Sequence, residues 1–211
     1  MKTEDLIAVL AAGAGPAPRA VAARRLLPVA LLGAGLSALA SVVWFGLVPS
    51  PMFAAPALWL KLGYAGMLAL AASWLVARLA RPVSRLGGPW RAVLAVLAVM
   101  ALLGITAWLA AAPGDRVALM LGQTWRSCPW NVFALSLPTL AAALWALRSL
   151  APTRLRAAGA AAGLFAGALG ALGYALACTE LSTAFVATWY TLGIALSTAL
   201  GAALGPRVLR W

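Results

Sequence analysis

The chain has 211 residues, 64% of them hydrophobic and only 9% charged, whereas about a quarter of the residues of a soluble protein are charged; this excludes an ordinary soluble domain and indicates a protein that lies in a lipid bilayer. The formal net charge of +12 does not point to nucleic acid, because the basic residues form small clusters between apolar runs, as determinants of membrane topology do. Histidine is absent and only four residues are acidic, so imidazole metal sites and catalytic carboxylate pairs lack their side chains, and neither an enzyme nor a cofactor is predicted.

The N-terminal segment, MKTEDLIAVLAA, is predicted to form a short amphipathic helix. Leu6, Ile7 and Leu10 share one of its faces at helical spacing. A helix of about ten residues is marginal alone, so it needs a surface to lie on. Glu4 and Asp5 would be repelled by anionic lipids, which favours a groove on a partner protein over the membrane surface or a disordered tail.

Six apolar runs follow, and each is long enough to cross the bilayer, which takes about 20 apolar residues. Their predicted limits are 26–48, 57–77, 92–112, 131–147, 157–177 and 184–205. The first run exceeds the apolar core of about 7 to 15 residues that a signal peptide has, so it is predicted to be a retained helix. The predicted fold class is therefore all-α, a polytopic membrane protein with residues 1–25 as a tail and residues 26–211 as one transmembrane domain.

The basic residues between the runs lie mainly on one side of the membrane. That side carries Lys2, Arg19, Arg24, Arg25, Arg78, Arg81, Arg85, Arg91, Arg148, Arg154, Arg156, Arg207 and Arg210. The loops of the other side carry only Arg116 and Arg126. Because cytoplasmic loops are enriched in Lys and Arg, both termini are predicted to be cytoplasmic.

Lys61 lies inside the second run, where a charged side chain is a candidate functional residue. Its position near the outer end of the run favours a different interpretation. The stem would lie along the helix while the ammonium group reaches the lipid headgroups.

Small residues recur every four positions in the last two runs, and such stripes let helix backbones approach closely in lipid. The members are Gly159, Gly163, Gly167, Gly193, Ser197, Gly201 and Gly205. They are predicted to be packing faces, with a partner helix in the same chain favoured over one in another copy. Pro138 is predicted to kink the fourth helix, because it lacks a backbone donor.

The two cysteines, Cys128 and Cys178, are predicted to lie at one extracytoplasmic face, since the chain crosses the membrane twice between them. Three interpretations stay open: small apolar fillers, a structural disulfide, and a redox or metal sensor. Arg126, close to Cys128 in sequence, favours a reactive thiolate there. A metal ion would need Glu180, Asn131 or water to complete its coordination, because two sulfur ligands are too few.

Two other classes of function compete with a sensor. A small transporter or channel would suit six spans and Lys61, but the helices offer few polar residues for a pathway. A thiol-disulfide oxidoreductase of the membrane relays electrons between two cysteine pairs, whereas this chain has one pair and no C-x-x-C motif.

Several short segments match a known pattern. In chain order they are MKTEDLI, LGQTWRSCPWN followed by LSLP, APTR, YALACTE, FVATWYTLGI and the ending LGPRVLRW. Each is weak alone, but their order and their placement around both cysteines resemble the NrsF family, the negative regulators of sigma F, over essentially the whole chain.

The resemblance implies a six-span anti-sigma factor of the bacterial inner membrane. Such a protein would hold an extracytoplasmic-function sigma factor inactive until heavy-metal or oxidative stress releases it. The implied sensors are Cys128 and Cys178, through oxidation or the transient capture of a metal ion. The implied contacts with sigma lie in the tail, and the candidates are Glu4, Asp5, Leu6, Ile7 and Leu10.

The cytoplasmic loops are predicted to share the binding of sigma, since a tail of about 25 residues is smaller than an independent domain. The candidates are Arg81, Arg85, Arg154 and Arg156. A reaction at the two cysteines is predicted to shift the fourth helix relative to the fifth, which would move their cytoplasmic ends.

Overall fold

The structure is a computed structural model that describes residues 3–13, 21–81 and 87–210, and in these residues it is helical, without strands. Six helices are long and apolar enough to cross a membrane, as predicted. They are α2 (Val21–Phe45), α3 (Pro56–Leu79), α4 (Gly87–Ala110), α6 (Cys128–Arg148), α7 (Leu155–Tyr174) and α8 (Thr183–Val208). Two shorter helices are α1 (Thr3–Gly13) and α5 (Arg116–Leu121).

Some helix ends differ from the predicted limits. Helix α2 begins at Val21 instead of residue 26, so Arg24 and Arg25 belong to its first turns. Helix α6 begins at Cys128 instead of residue 131, with a proline in its first turn. Proline suits that position because the first backbone donors of a helix have no intrahelical partner. Cys128 is therefore held by a helix and is not a loop residue.

Helix α7 forms the centre of the bundle, where it packs against α2, α3, α6 and α8. Every residue from Ala161 to Ala171 is buried. Its many Ala and Gly residues let four neighbours approach one helix, which long side chains would prevent.

The predicted stripes of small residues pack against each other within the chain. A Cβ atom built on Gly163 would overlap the carbonyl oxygen of Ser197, and one on Gly159 would overlap that of Gly201. A Cβ atom on Gly201 would lie 3.0 Å from the Cα atom of Gly163. The backbones of α7 and α8 are therefore in direct contact, which confirms the predicted packing face and its intramolecular partner.

The bundle has a terminal end and a cysteine end. At the terminal end, where α2 begins and α8 finishes, a guanidinium nitrogen of Arg25 donates to the hydroxyl of Ser149. At the cysteine end, where α2 finishes and α3 begins, the backbone N–H of Val48 donates to the carbonyl of Leu176 at 2.9 Å. Helices α2 and α4 are the most lipid-exposed of the six, since only about a fifth of their residues are buried.

Candidate functional site

Both cysteines lie at the cysteine end of the bundle, and neither forms a disulfide. Cys128 is the first residue of α6, and Cys178 follows the end of α7. Their side chains are 0% and 3% exposed. Each thiol is an electrostatic neighbour of the other. The two thiols are thus brought together at one end of the bundle, as predicted. They are buried inside the protein, however, and do not lie at a water interface.

Lys61 is fully buried beside them, so the prediction that its ammonium reaches the headgroups is wrong. Its Nζ atom donates a hydrogen bond of 2.7 Å to the carbonyl oxygen of Cys178. Lys61 shares a buried face of α3 with Leu58, Ala65 and Leu68. This spacing of three, four and three residues is that of a helix face directed at the core.

The cation near Cys128 is Lys61 and not Arg126. The ionisable neighbours of the Cys128 thiol are Cys178, Lys61 and Glu180. Arg126 lies with its guanidinium 5.1 Å from the centre of the Trp125 ring, and its side chain is exposed. Closeness in sequence therefore misidentified the charge that acts on this thiol.

Two tyrosines complete the buried set, which we call the cysteine cluster: Cys128, Cys178, Lys61, Tyr174 and Tyr190. The hydroxyl of Tyr174 accepts a hydrogen bond of 3.2 Å from Asn131. The hydroxyl of Tyr190 is buried and has no hydrogen-bond partner in the described part of the chain. Its ionisable neighbours include both cysteines, and the Cys178 side chain lies within reach of the hydroxyl although no hydrogen bond of normal geometry joins them. An unpaired buried hydroxyl is uncommon in folded proteins, so it is a donor available to a new group in the cluster.

Tyr190 ends a π-helical segment of α8, Val186–Tyr190. Such segments are rare and are frequent at functional sites, because the wider turn changes where the following side chains point. Tyr190 is fully buried, with its ring centre 5.9 Å from that of Tyr174.

Glu180 joins the two segments that carry the cysteines. Its Oε1 atom accepts hydrogen bonds from the backbone N–H groups of Gln123 and Thr124, at 2.7 and 2.8 Å, and from the Thr124 hydroxyl at 3.0 Å. Gly122 has φ of +56°, and a Cβ atom there would lie 2.6 Å from a carboxylate oxygen of Glu180. The turn before Cys128 is therefore held against the segment after Cys178.

The donor set for a metal ion is small. Within the described residues, no group of three or more His, Cys, Asp or Glu side chains is arranged to hold one. One carboxylate oxygen of Glu180, Oε1, is held by the turn before Cys128, and the amide nitrogen of Asn131 donates to Tyr174. A captured ion would need ligands besides the two thiolates.

The predicted sigma contacts of the tail lie on α1, whose residues from Thr3 to Ala12 are all exposed. Leu6, Ile7 and Leu10 are 42%, 60% and 64% exposed. Of the predicted loop residues, Arg81, Arg154 and Arg156 are exposed. Arg85 lies outside the described residues.

Comparison with known proteins gives a consistent result. A family model described as negative regulator of sigma F matches residues 10–211. The chain is 40% identical over 220 residues to the probable anti-sigma-F factor NrsF of Azospira oryzae, with all of both chains covered. It is also 40% identical over 216 residues to the anti-sigma-F factor NrsF of Caulobacter vibrioides, again over all of both chains. No solved structure matches the chain. The relatives are regulators and not enzymes, which favours regulation over the transporter and oxidoreductase alternatives.

Proposed function

Since this chain belongs to the NrsF family of negative regulators of sigma F, we propose that it holds an extracytoplasmic-function sigma factor inactive at the cytoplasmic face of the bacterial inner membrane. The sigma factor is released when the cysteine cluster reacts with an oxidant or captures a thiophilic metal ion. The tail and the basic loops of the terminal end bind sigma, and the cluster at the other end senses the stress.

The observation that carries the sensing step is the composition of the cysteine cluster. A buried lysine would destabilise an inert apolar site, because burying a charge costs free energy unless an anion or dipoles compensate it. Lys61 donates to one carbonyl, and the Tyr190 hydroxyl is unpaired within the described residues. Cluster donors therefore remain for an anion, and a thiolate or an oxidised sulfur supplies one.

The distribution of arginine supports the orientation of the two ends. Arginines of the terminal end face the cytoplasm under the positive-inside rule. The cysteine cluster then faces the periplasm, an oxidising compartment in which disulfides persist. The cluster thus lies on the side where an external oxidant or metal ion arrives, and the tail lies on the side where sigma binds.

The exposed face of α1 supports its role as the sigma contact. Leu6, Ile7 and Leu10 are apolar anchors at the spacing that helix-in-groove recognition uses. Glu4 and Asp5 in the first turn favour the positive end of the helix dipole and prepare the helix for docking. Arg81, Arg85, Arg154 and Arg156 are the proposed additional contacts on the loops.

The redox step has a simple balance. A peroxide takes two electrons from the two thiols, so its O–O bond breaks while an Sγ–Sγ bond forms between Cys128 and Cys178. The two thiol protons leave in two molecules of water, or in one of water and one of alcohol when the peroxide is organic. Capture of a metal ion instead replaces the two thiol protons by two metal–sulfur bonds. Either event changes the distance between the start of α6 and the end of α7, and α7 carries the change because it touches four other helices.

Replacing both cysteines by serine (Cys128→Ser with Cys178→Ser) is expected to abolish release of sigma by oxidant or metal while leaving repression in unstressed cells intact. Serine resembles cysteine in shape but forms neither a disulfide nor a thiolate bond to a soft metal. The measurement is co-purification of sigma with the membrane protein, before and after stress. Full release from the double variant would contradict the sensing step. Loss of capture in unstressed cells would mean that the cysteines act in folding.

Replacing Lys61 by methionine is expected to slow oxidation of the cluster at least about tenfold, since an opposite charge within a few ångströms stabilises ionised sulfur by more than about 1.4 kcal/mol. The rate is measured by alkylating the thiols that remain and determining the mass of the protein by mass spectrometry. Arg126→Gln is the matched control, because Arg126 is nearer to Cys128 in sequence but points elsewhere. Equal rates for wild type and Lys61→Met, or equal slowing by both variants, would refute the role of Lys61.

A further inference from the structure

A long cleft separates α2 from α6 at the terminal end of the bundle. Its volume is about 860 Å³. Near its inner end Gly33 of α2 contacts Thr139 of α6, where a Cβ atom on the glycine would lie 2.7 Å from the threonine methyl group. The outer limit is the hydrogen bond from Arg25 to Ser149. Between these contacts the two helices leave an open groove on the lipid-facing side.

The walls of the cleft have two chemistries in separate places. The inner part is apolar and includes Leu32 and Leu36 of α2, which are 73% and 52% exposed. Pro138 of α6 also lines this part, and Trp145 lies nearer to the mouth. The mouth is cationic, since it is formed by Arg24, Arg25 and Arg148.

The length of the cleft fits one leaflet of a bilayer. Arg25 and Gly33 are eight positions apart on α2, which is about 12 Å at about 1.5 Å per residue. Thr139 and Ser149 are ten positions apart at the end of α6, which is about 15 Å. Half of the hydrocarbon core is also about 15 Å. The arginines therefore lie at headgroup level when the apolar walls lie among acyl chains.

Among the described residues, the cleft is lined by three arginines and by no acidic residue. Of the four acidic residues, Asp115 and Glu180 lie at the cysteine end, and only Glu4 and Asp5 are in the tail. Guanidinium groups bind phosphate through paired hydrogen bonds, and basic pockets between spanning helices bind anionic headgroups. The exposed indole of Trp145, 79% accessible, lies beside the mouth, as is usual at the headgroup level.

We propose that this cleft binds an anionic phospholipid, with its phosphate held by Arg24, Arg25 and Arg148 and an acyl chain lying against Leu32, Leu36 and Pro138. The site is separate from the cysteine cluster and from the proposed sigma contacts. Because α2 is the helix that follows the tail, the bound lipid fixes the depth at which the tail leaves the membrane.

The test is native mass spectrometry of the full chain in detergent, titrated with phosphatidylglycerol or with phosphatidylcholine. We expect phosphatidylglycerol to bind more tightly. The triple variant Arg24→Gln, Arg25→Gln, Arg148→Gln should lose about fivefold in affinity for each arginine and on the order of 100-fold in all, since each contributes about 1 kcal/mol. The control Arg156→Gln, Arg207→Gln, Arg210→Gln removes the same charge at the same end but outside the cleft, and it should bind like wild type.

A second pair of variants tests the acyl chain. Ala142→Phe fills the cleft without touching its arginines, whereas the neighbouring Ala141→Phe points outside it. Only the first should weaken binding of phosphatidylglycerol. Equal affinity for the two lipids, equal loss in the two triple variants, or full binding by Ala142→Phe would each overturn the proposal. Retained lipid binding with lost capture of sigma in the cleft triple variant would assign the arginines to the protein partner and would also overturn it.

Discussion

Deleting residues 1–12 is expected to abolish capture of the sigma factor and to make its target genes constitutively active. The described residues of this segment are all exposed, so their loss removes no part of the buried core and the bundle should still fold. The family model begins at residue 10, which places nearly all of this segment outside the part that the model matches. The measurement is co-purification of sigma from membranes, with the amount of inserted protein quantified alongside.

A point variant separates recognition from loss of the whole tail. Leu6→Ser with Leu10→Ser removes two anchors from one face of α1 and should weaken binding by about 3 kcal/mol, since full burial of a leucine contributes roughly 1.5 to 3 kcal/mol. That is on the order of 100-fold in affinity. Ala8→Ser with Ala12→Ser introduces the same two hydroxyl groups on the opposite face and should bind like wild type. If sigma binds the truncated chain as tightly as the full chain, the tail is not its docking site.

The number of spanning helices could be predicted because hydropathy is a property of the chain in one dimension. Each helix needs only a long enough apolar run, whatever its neighbours are. The helix ends were harder to predict, since Arg24 and Arg25 continue α2 although they are charged. Long arginine stems can lie along a helix while their charged groups reach water, so a charged residue does not mark where a helix begins.

The meeting of the two cysteines at one end follows from counting crossings, and that count needs no tertiary information. Their burial and their neighbours do not follow from it. Whether Lys61 faces lipid or the core depends on how α3 is rotated about its axis, which α7 decides by packing against it. The position of Tyr190 depends on a π-helical segment, and no residue pattern in the sequence predicts where such a segment occurs.

The stripes of small residues were the strongest tertiary signal in the sequence, and they lead to the largest expected loss of stability. Gly163→Ala should lower the free energy of unfolding by about 3 kcal/mol, as overpacking of a tight interface does. The added methyl group would overlap the carbonyl oxygen of Ser197 and lie 2.8 Å from the Cα atom of Thr198. Both are backbone atoms, so α7 and α8 have to separate along their length, and no side-chain rotation relieves the overlap.

The control for this prediction is Gly35→Ala, because a Cβ atom on Gly35 meets nothing within 4 Å. Alanine has the higher helix propensity by about 1 kcal/mol, so this variant should be as stable as wild type or slightly more stable. The same propensity gain acts at Gly163, where it is too small to offset the overlap. Unfolding in mixed micelles, followed by tryptophan fluorescence, compares the three proteins. If Gly163→Ala proves as stable as Gly35→Ala, the backbones of α7 and α8 do not touch. A shift of α7 would then not displace α8 through a direct backbone contact.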